Sequence, residues 1–140
     1  MHWGMRPRSA VAGLSIGLIA FGAAYAQTRK LAPGSWTNEL GSVLTITNVS
    51  SNGQLSGTYV TNVGCDAGKP QPLTGWYYDG GNGGGAVTFS VIWQGCSSVA
   101  SWLGQYDDNT QKFQTLWHLT IAKPPSWDGI YAGTDLFTLK

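Results

Sequence analysis

Ser98-Val99-Ala100-Ser101-Trp102-Leu103-Gly104-Gln105-Tyr106 lies at the centre of the part of the chain that concentrates its chemistry. Side chains alternate across an extended strand, so Ser98, Ala100 and Trp102 share one face. A face that mixes a tryptophan with small hydroxyl residues is unusual for a plain apolar core. It suits the wall of a pocket for a small, partly polar molecule. Working outward, the stretch Val91–Leu119 holds two more tryptophans, Trp93 and Trp117, each in a short run of strand character. Trp117 and Leu119 share a face, and His118 lies on the other.

The same pattern repeats along the chain. Strand-like runs occur at Ser35–Asn38, Val43–Val49, Gln54–Val60, Pro72–Tyr78, Ala86–Trp93, Ala100–Asp107, Lys112–Ile121 and Ile130–Leu139. Glycine, asparagine and serine turns separate them, and no run sustains a 3.6-residue apolar period. Twenty glycines and only 11% charged residues agree with a turn-rich chain. The predicted class is all-β, an eight-stranded antiparallel up-and-down β-barrel, which leaves no open edge and has room inside for one small ligand. In that topology every odd-to-even connection emerges at one end. Both cysteines fall in such connections, so the chemistry is expected at that mouth.

Arg6 and Arg8 precede the apolar run Ala10–Ala24, which ends in Ala24-Tyr25-Ala26. This reads as a cleaved signal peptide, residues 1–26, followed by a flexible lead-in, 27–33, and a barrel domain, 34–140. The apolar run is too short to span a membrane, and no later segment qualifies. After cleavage the chain carries six Lys/Arg against seven Asp/Glu, a net charge of −1. No basic patch is present, which argues against nucleic acid as a partner. The expected location is secreted or periplasmic. Two cysteines in an exported chain, Cys65 and Cys96, read as one disulfide, with a pair of free thiols as the alternative. A metal site would need more ligands, since His118 is the only histidine after the leader. No nucleophile–base pair is spaced for catalysis, so an enzyme is not expected. Asp107 and Asp108 are adjacent and therefore point to opposite faces.

Six short motifs then carry a family likeness. They are Gly34-Ser35-Trp36-Thr37-Asn38-Glu39-Leu40-Gly41-Ser42, Leu55-Ser56-Gly57-Thr58-Tyr59, Leu73-Thr74-Gly75, Trp102-Leu103-Gly104-Gln105-Tyr106, Thr115-Leu116-Trp117-His118-Leu119-Thr120 and Gly133-Thr134-Asp135-Leu136-Phe137. Taken in order, they resemble the avidin/streptavidin family from Gly34 to the C-terminus. The resemblance implies non-covalent biotin binding in the barrel mouth, with biotin as ligand and no cofactor. Asn38, Ser42 and Tyr59 match the trio that hydrogen-bonds the ureido oxygen. Asp135 and Thr61 match acceptors for the two ureido N–H groups. Trp93, Trp102 and Trp117 match the aromatic walls, and Leu40, Val63 and Leu119 the apolar lining. Ser98 and the backbone at Cys65 match contacts to the tail carboxylate, and Thr61–Cys65 the lid over the mouth.

Trp127 sits eight residues before Asp135, where the family's tetramers place a tryptophan donated to a neighbouring subunit's pocket. A disulfide between these two loops resembles instead the family's dimers. The resemblance favours a homotetramer over a dimer, because an exposed aromatic in the loop Pro124–Trp127 needs a partner to cover it. Ala100 departs from the usual threonine that bonds the thioether sulfur, a weak contact. Asp66 would repel the tail carboxylate if it faced inward. The alternative function is a carrier barrel or an aromatic sugar-binding module for another small ligand. Trp36 is expected to be packing rather than site.

Overall fold

A computed structural model describes residues 30–124 and 127–140. The expected signal peptide and the first part of the lead-in lie outside the described residues. Eight strands follow in order: β1 Gly34–Thr37, β2 Val43–Val49, β3 Gln54–Val60, β4 Pro70–Asp79, β5 Gly84–Trp93, β6 Ser98–Asp107, β7 Lys112–Ile121 and β8 Ile130–Leu139. Each pairs antiparallel with the next, and β8 pairs with β1, which closes an up-and-down barrel. The sequence-predicted class holds.

The boundaries differ where local residue chemistry and long-range pairing disagree. β1 stops at Thr37 rather than Asn38, because the Asn38 carboxamide oxygen accepts from Leu40 N at 3.1 Å and Ser42 N at 2.9 Å and turns the chain. β5 starts two residues before Ala86. Gly84 and Gly85, which read as a turn, are recruited by pairing with Asp107 and Tyr106. A single 3-10 turn, Gln94–Cys96, joins β5 to β6, where the sequence suggested only an irregular loop.

Alternation places the core. Along β6, Ser98, Ala100, Trp102 and Tyr106 are buried, while Val99, Ser101, Leu103 and Gln105 are exposed. Trp36, Tyr106, Phe113 and Phe137 fill one end of the barrel, with Trp36 edge-on to Phe113 at 5.0 Å. The Trp36 indole donates to the Gln111 carbonyl at 2.8 Å, so its one polar atom is satisfied. Trp36 is packing, as expected. Leu31, within the expected lead-in, is only 6% exposed and belongs to the core. Beside it, Lys30 forms an ion pair with Asp79 at 2.5 Å. The last residues before β1 therefore cap the filled end, because an apolar side chain there removes the aromatic floor from water. That packing leaves the vacant volume at the opposite, odd-to-even end.

Candidate ligand-binding site

The mouth holds a cavity of about 440 Å³. Its lining includes every pocket residue named from the sequence except Trp127: Asn38, Leu40, Ser42, Tyr59, Thr61 and Val63 from one side, Cys65, Trp93, Ser98, Trp102, Trp117, Leu119 and Asp135 from the other. Gly64, Cys96, Ala100 and Ile121 complete the lining. A depression of about 670 Å³ on the outer wall, near Tyr78, Gln105 and Lys112, is larger but open to solvent. The mouth cavity has what a specific site needs, apolar walls with a few converging polar groups.

Trp102 is the centre of the wall. It stacks on Phe89 with ring centroids 5.0 Å apart and planes 16° from parallel. Tyr59 lies 4.8 Å from it and Trp93 6.3 Å. Trp117, on the next strand, stands opposite Gly133, where a Cβ would come within 2.4 Å of the indole ring. Only glycine leaves room for that ring.

The polar groups converge below these rings. Asp135 is 8% exposed and accepts from Trp102 Nε1 at 2.8 Å. Burial pushes its carboxyl above the usual 3.8, and hydrogen bonds from Trp102 and Asn38 pull partly the other way. Asn38 is fixed at both ends of its amide. Its oxygen takes two loop N–H groups, so its nitrogen must face Asp135 and the cavity. The Tyr59 hydroxyl bonds to Ser42, and burial pushes it up to about 12, so it stays protonated and can donate. Ser42 Oγ in turn accepts from Asn62 N at 3.0 Å.

Other expected contacts are placed with more detail. Thr61 Oγ1 donates to the Val63 carbonyl at 2.8 Å, so towards a ligand it offers a lone pair rather than a proton. Cys65 and Cys96 are joined in a disulfide, with Cα atoms 6.0 Å apart, which bridges the β3–β4 and β5–β6 connections. Sulfurs bonded to each other supply no thiolate, so the cluster of Cys65, Cys96 and Asp66 offers nothing to hold a soft metal. Asp66 pairs with Lys69 at 2.9 Å and does not line the cavity. Trp127 is 83% exposed, with a left-handed φ of 61°, and lies outside its own chain's cavity.

Two supporting residues were missed from the sequence. Asn62 donates through its side chain to the Leu40 carbonyl at 2.7 Å, stapling the lid loop to the first loop. Thr115, 2% exposed, donates to the Asp135 carbonyl at 3.1 Å. An asparagine starting a loop hints at the first role. Nothing local hints at the second, which exists only because β7 and β8 pair Thr115 with Asp135.

Comparison with known proteins agrees with this geometry. A profile described as the avidin family matches residues 26–140. Hoefavidin of Hoeflea phototrophica is 33% identical, covering 91% of this chain and 84% of its own. Avidin of Gallus gallus is 32% identical over 89% of this chain and 87% of its own. Core-bradavidin superposes with a TM-score of 0.73 at 46% identity, covering 78% of this chain and all of the other. A biotin complex of a shwanavidin variant gives 0.70 at 29% identity, covering 83% of this chain and all of the other. The closed eight-stranded barrel, the cavity at its mouth and the sequence match over nearly the whole chain leave one assignment: the protein belongs to the avidin family.

Proposed function

We propose that this protein binds biotin non-covalently in the mouth cavity and performs no catalysis. The observation that carries the reading is the pairing of a buried acceptor, Asp135, with the Asn38, Ser42 and Tyr59 donor cluster inside one tryptophan-walled cavity. A urea presents one oxygen that wants donors and two N–H groups that want acceptors. Asn38 Nδ2 and the Ser42 and Tyr59 hydroxyls would turn to the oxygen. Asp135 would take one N–H and Thr61 the other. Asn38 and Ser42 are already held by loop N–H groups, and Tyr59 by Ser42, so little ordering remains to be done on binding. Trp93, Trp102 and Trp117 would enclose the bicyclic rings, as the buried, mutually packed Trp93 and Trp102 and the half-buried Trp117 on the same cavity wall support.

No lysine, arginine or histidine lines the cavity among the described residues. The tail carboxylate would therefore rest on neutral donors, Ser98 and the backbone near Cys65. A sugar or general carrier site would spread its polar groups along the cavity. Here Tyr59 bonds to Ser42 and Asn38 to Asp135, which favours one polar headgroup and leaves Ser98 for the tail.

The exposure of Trp127 supports donation to a neighbouring copy's pocket and a homotetramer, and the apolar outer residues Trp76, Leu103 and Leu116 support an interface. Export through the residue 1–26 leader to a secreted or periplasmic location fits the disulfide. Tryptophan emission tests the site directly. Biotin added to purified protein should shift and change the intensity of that emission with a saturable dependence, because three walls of the cavity are indoles. An unchanged spectrum at micromolar protein would contradict the reading.

A further inference from the structure

We propose that Glu39 is a positioning residue for Asp135, closing the last gap in the seam between β1 and β8 and so fixing the peptide that carries the binding-site carboxylate. The inference rests on the reading that Asp135 accepts from the ligand, and it assigns a role to a residue the sequence left without one.

The β1–β8 seam is the weakest in the barrel. β6 and β7 pair over ten residues, whereas β1 and β8 pair only at Trp36 with Leu139 and Thr37 with Thr138. At the filled end the seam is continued by Lys140 N donating to the Ser35 carbonyl at 2.9 Å. At the mouth the chain turns away at Asn38, with Gly41 N bonding back to its carbonyl at 3.0 Å. Continuing the register by two residues puts Glu39 opposite Leu136. The turn removes the main-chain carbonyl that would have accepted from Leu136. The Glu39 side chain replaces it, accepting from Leu136 N through Oε1 at 2.7 Å. The bond lies exposed at the rim of the mouth, so it stands in for a ladder bond rather than exceeding one.

Leu136 N and the Asp135 carbonyl belong to one peptide group. Thr115 Oγ1 holds the carbonyl from the β7 side at 3.1 Å, and Glu39 holds the N–H from the β1 side. That peptide plane is thereby pinned at both ends, which sets the direction in which the Asp135 side chain leaves the strand. Trp102 and Asn38 then meet the carboxylate where it emerges. Glu39 also brings a second negative charge towards Asp135, and the other titratable group at the cavity floor is Tyr59.

Two substitutions separate the strap from the charge. Glu39→Gln keeps an oxygen that can accept from Leu136 and removes the charge. Glu39→Ala removes both. Three readouts apply: hydrogen exchange at the Leu136 amide, carboxyl NMR titration of Asp135 in ligand-free protein, and the biotin dissociation rate. Glu39→Ala should raise Leu136 exchange and biotin dissociation by about tenfold, and Glu39→Gln should restore both to within about threefold of the parent. In both variants Asp135 should titrate at lower pH than in the parent, because a repelling charge is gone. Parent-like Leu136 exchange and dissociation in Glu39→Ala, or no rescue by Glu39→Gln, would overturn the proposal. If the parent protein fails to bind biotin, the two ligand-free readouts still decide the role of Glu39, so the two failures are distinguishable.

Discussion

The Trp102 indole donates to the Asp135 carboxylate at 2.8 Å while its ring lies flat against Phe89. One side chain is thus both a wall of the cavity and the partner that orients its acceptor. Replacing Trp102 by Phe keeps most of the wall and deletes the N–H. Biotin binding should weaken by about 1–3 kcal/mol, or roughly 5- to 150-fold, because a buried carboxylate loses a donor. Surface plasmon resonance reads this as faster dissociation. Unchanged dissociation would mean the wall alone holds the ligand.

Asp135 should also make binding depend on pH. Its pKa is raised, chiefly by burial. The ionised group therefore weakens the ligand-free fold at neutral pH. The stability favouring the protonated form is complete below the unfolded pKa and is lost as pH rises through the folded one. Binding runs the opposite way, since the ionised carboxylate is the stronger acceptor for an N–H. Biotin methyl ester, whose tail does not titrate, should bind progressively more weakly between about pH 7 and pH 3. The fall should begin above the ordinary carboxylate range, and Asp135→Asn should flatten the profile. Calorimetry across that range gives the answer, and a flat parent profile would remove Asp135 from ligand recognition.

Most of the barrel was readable in the sequence because its signals are local. Alternation along β6 and glycine or asparagine turns such as Ser51-Asn52-Gly53 need no distant partner. The errors came where partners decide. Gly84 and Gly85 look like a turn until β6 pairs with them, and Leu31 looks like a tail until the aromatic floor receives it. In the site, the cavity-lining types could be placed by motif, whereas Thr115, Asn62 and Glu39 could not. Their roles are single hydrogen bonds to backbone far along the chain, and no periodicity reports those.

The Cys65–Cys96 bridge closes a loop with a sequence separation of 31. Replacing both cysteines by serine should cost about 3–4 kcal/mol of stability in the chain-entropy model. Denaturant unfolding measures it. Because the bridge braces loops at the mouth rather than the polar floor, biotin should still bind, with faster dissociation. A variant as stable as the parent would show that the loops are held by other contacts, such as Ala122 N to the Ser97 carbonyl at 2.7 Å.

Trp127 links assembly to binding in this account. Its 83% exposure and left-handed backbone are costs that a neighbouring pocket would offset. Trp127→Ala should shift the mass seen by native mass spectrometry towards smaller assemblies and speed biotin release by at least about tenfold, the loss expected for a buried aromatic anchor. Parent mass together with parent release would show that Trp127 covers neither an interface nor a ligand.

Biotin binding in the mouth cavity implies one saturable site per chain. Isothermal titration of the purified protein with biotin tests it most directly. The expected result is one biotin per chain, with a negative heat-capacity change from burial between the tryptophans. The site should also be lost when Asn38, Tyr59 and Asp135 are replaced together by Ala, Phe and Ala. No saturable heat at micromolar protein, or equal binding by the triple variant, would contradict it.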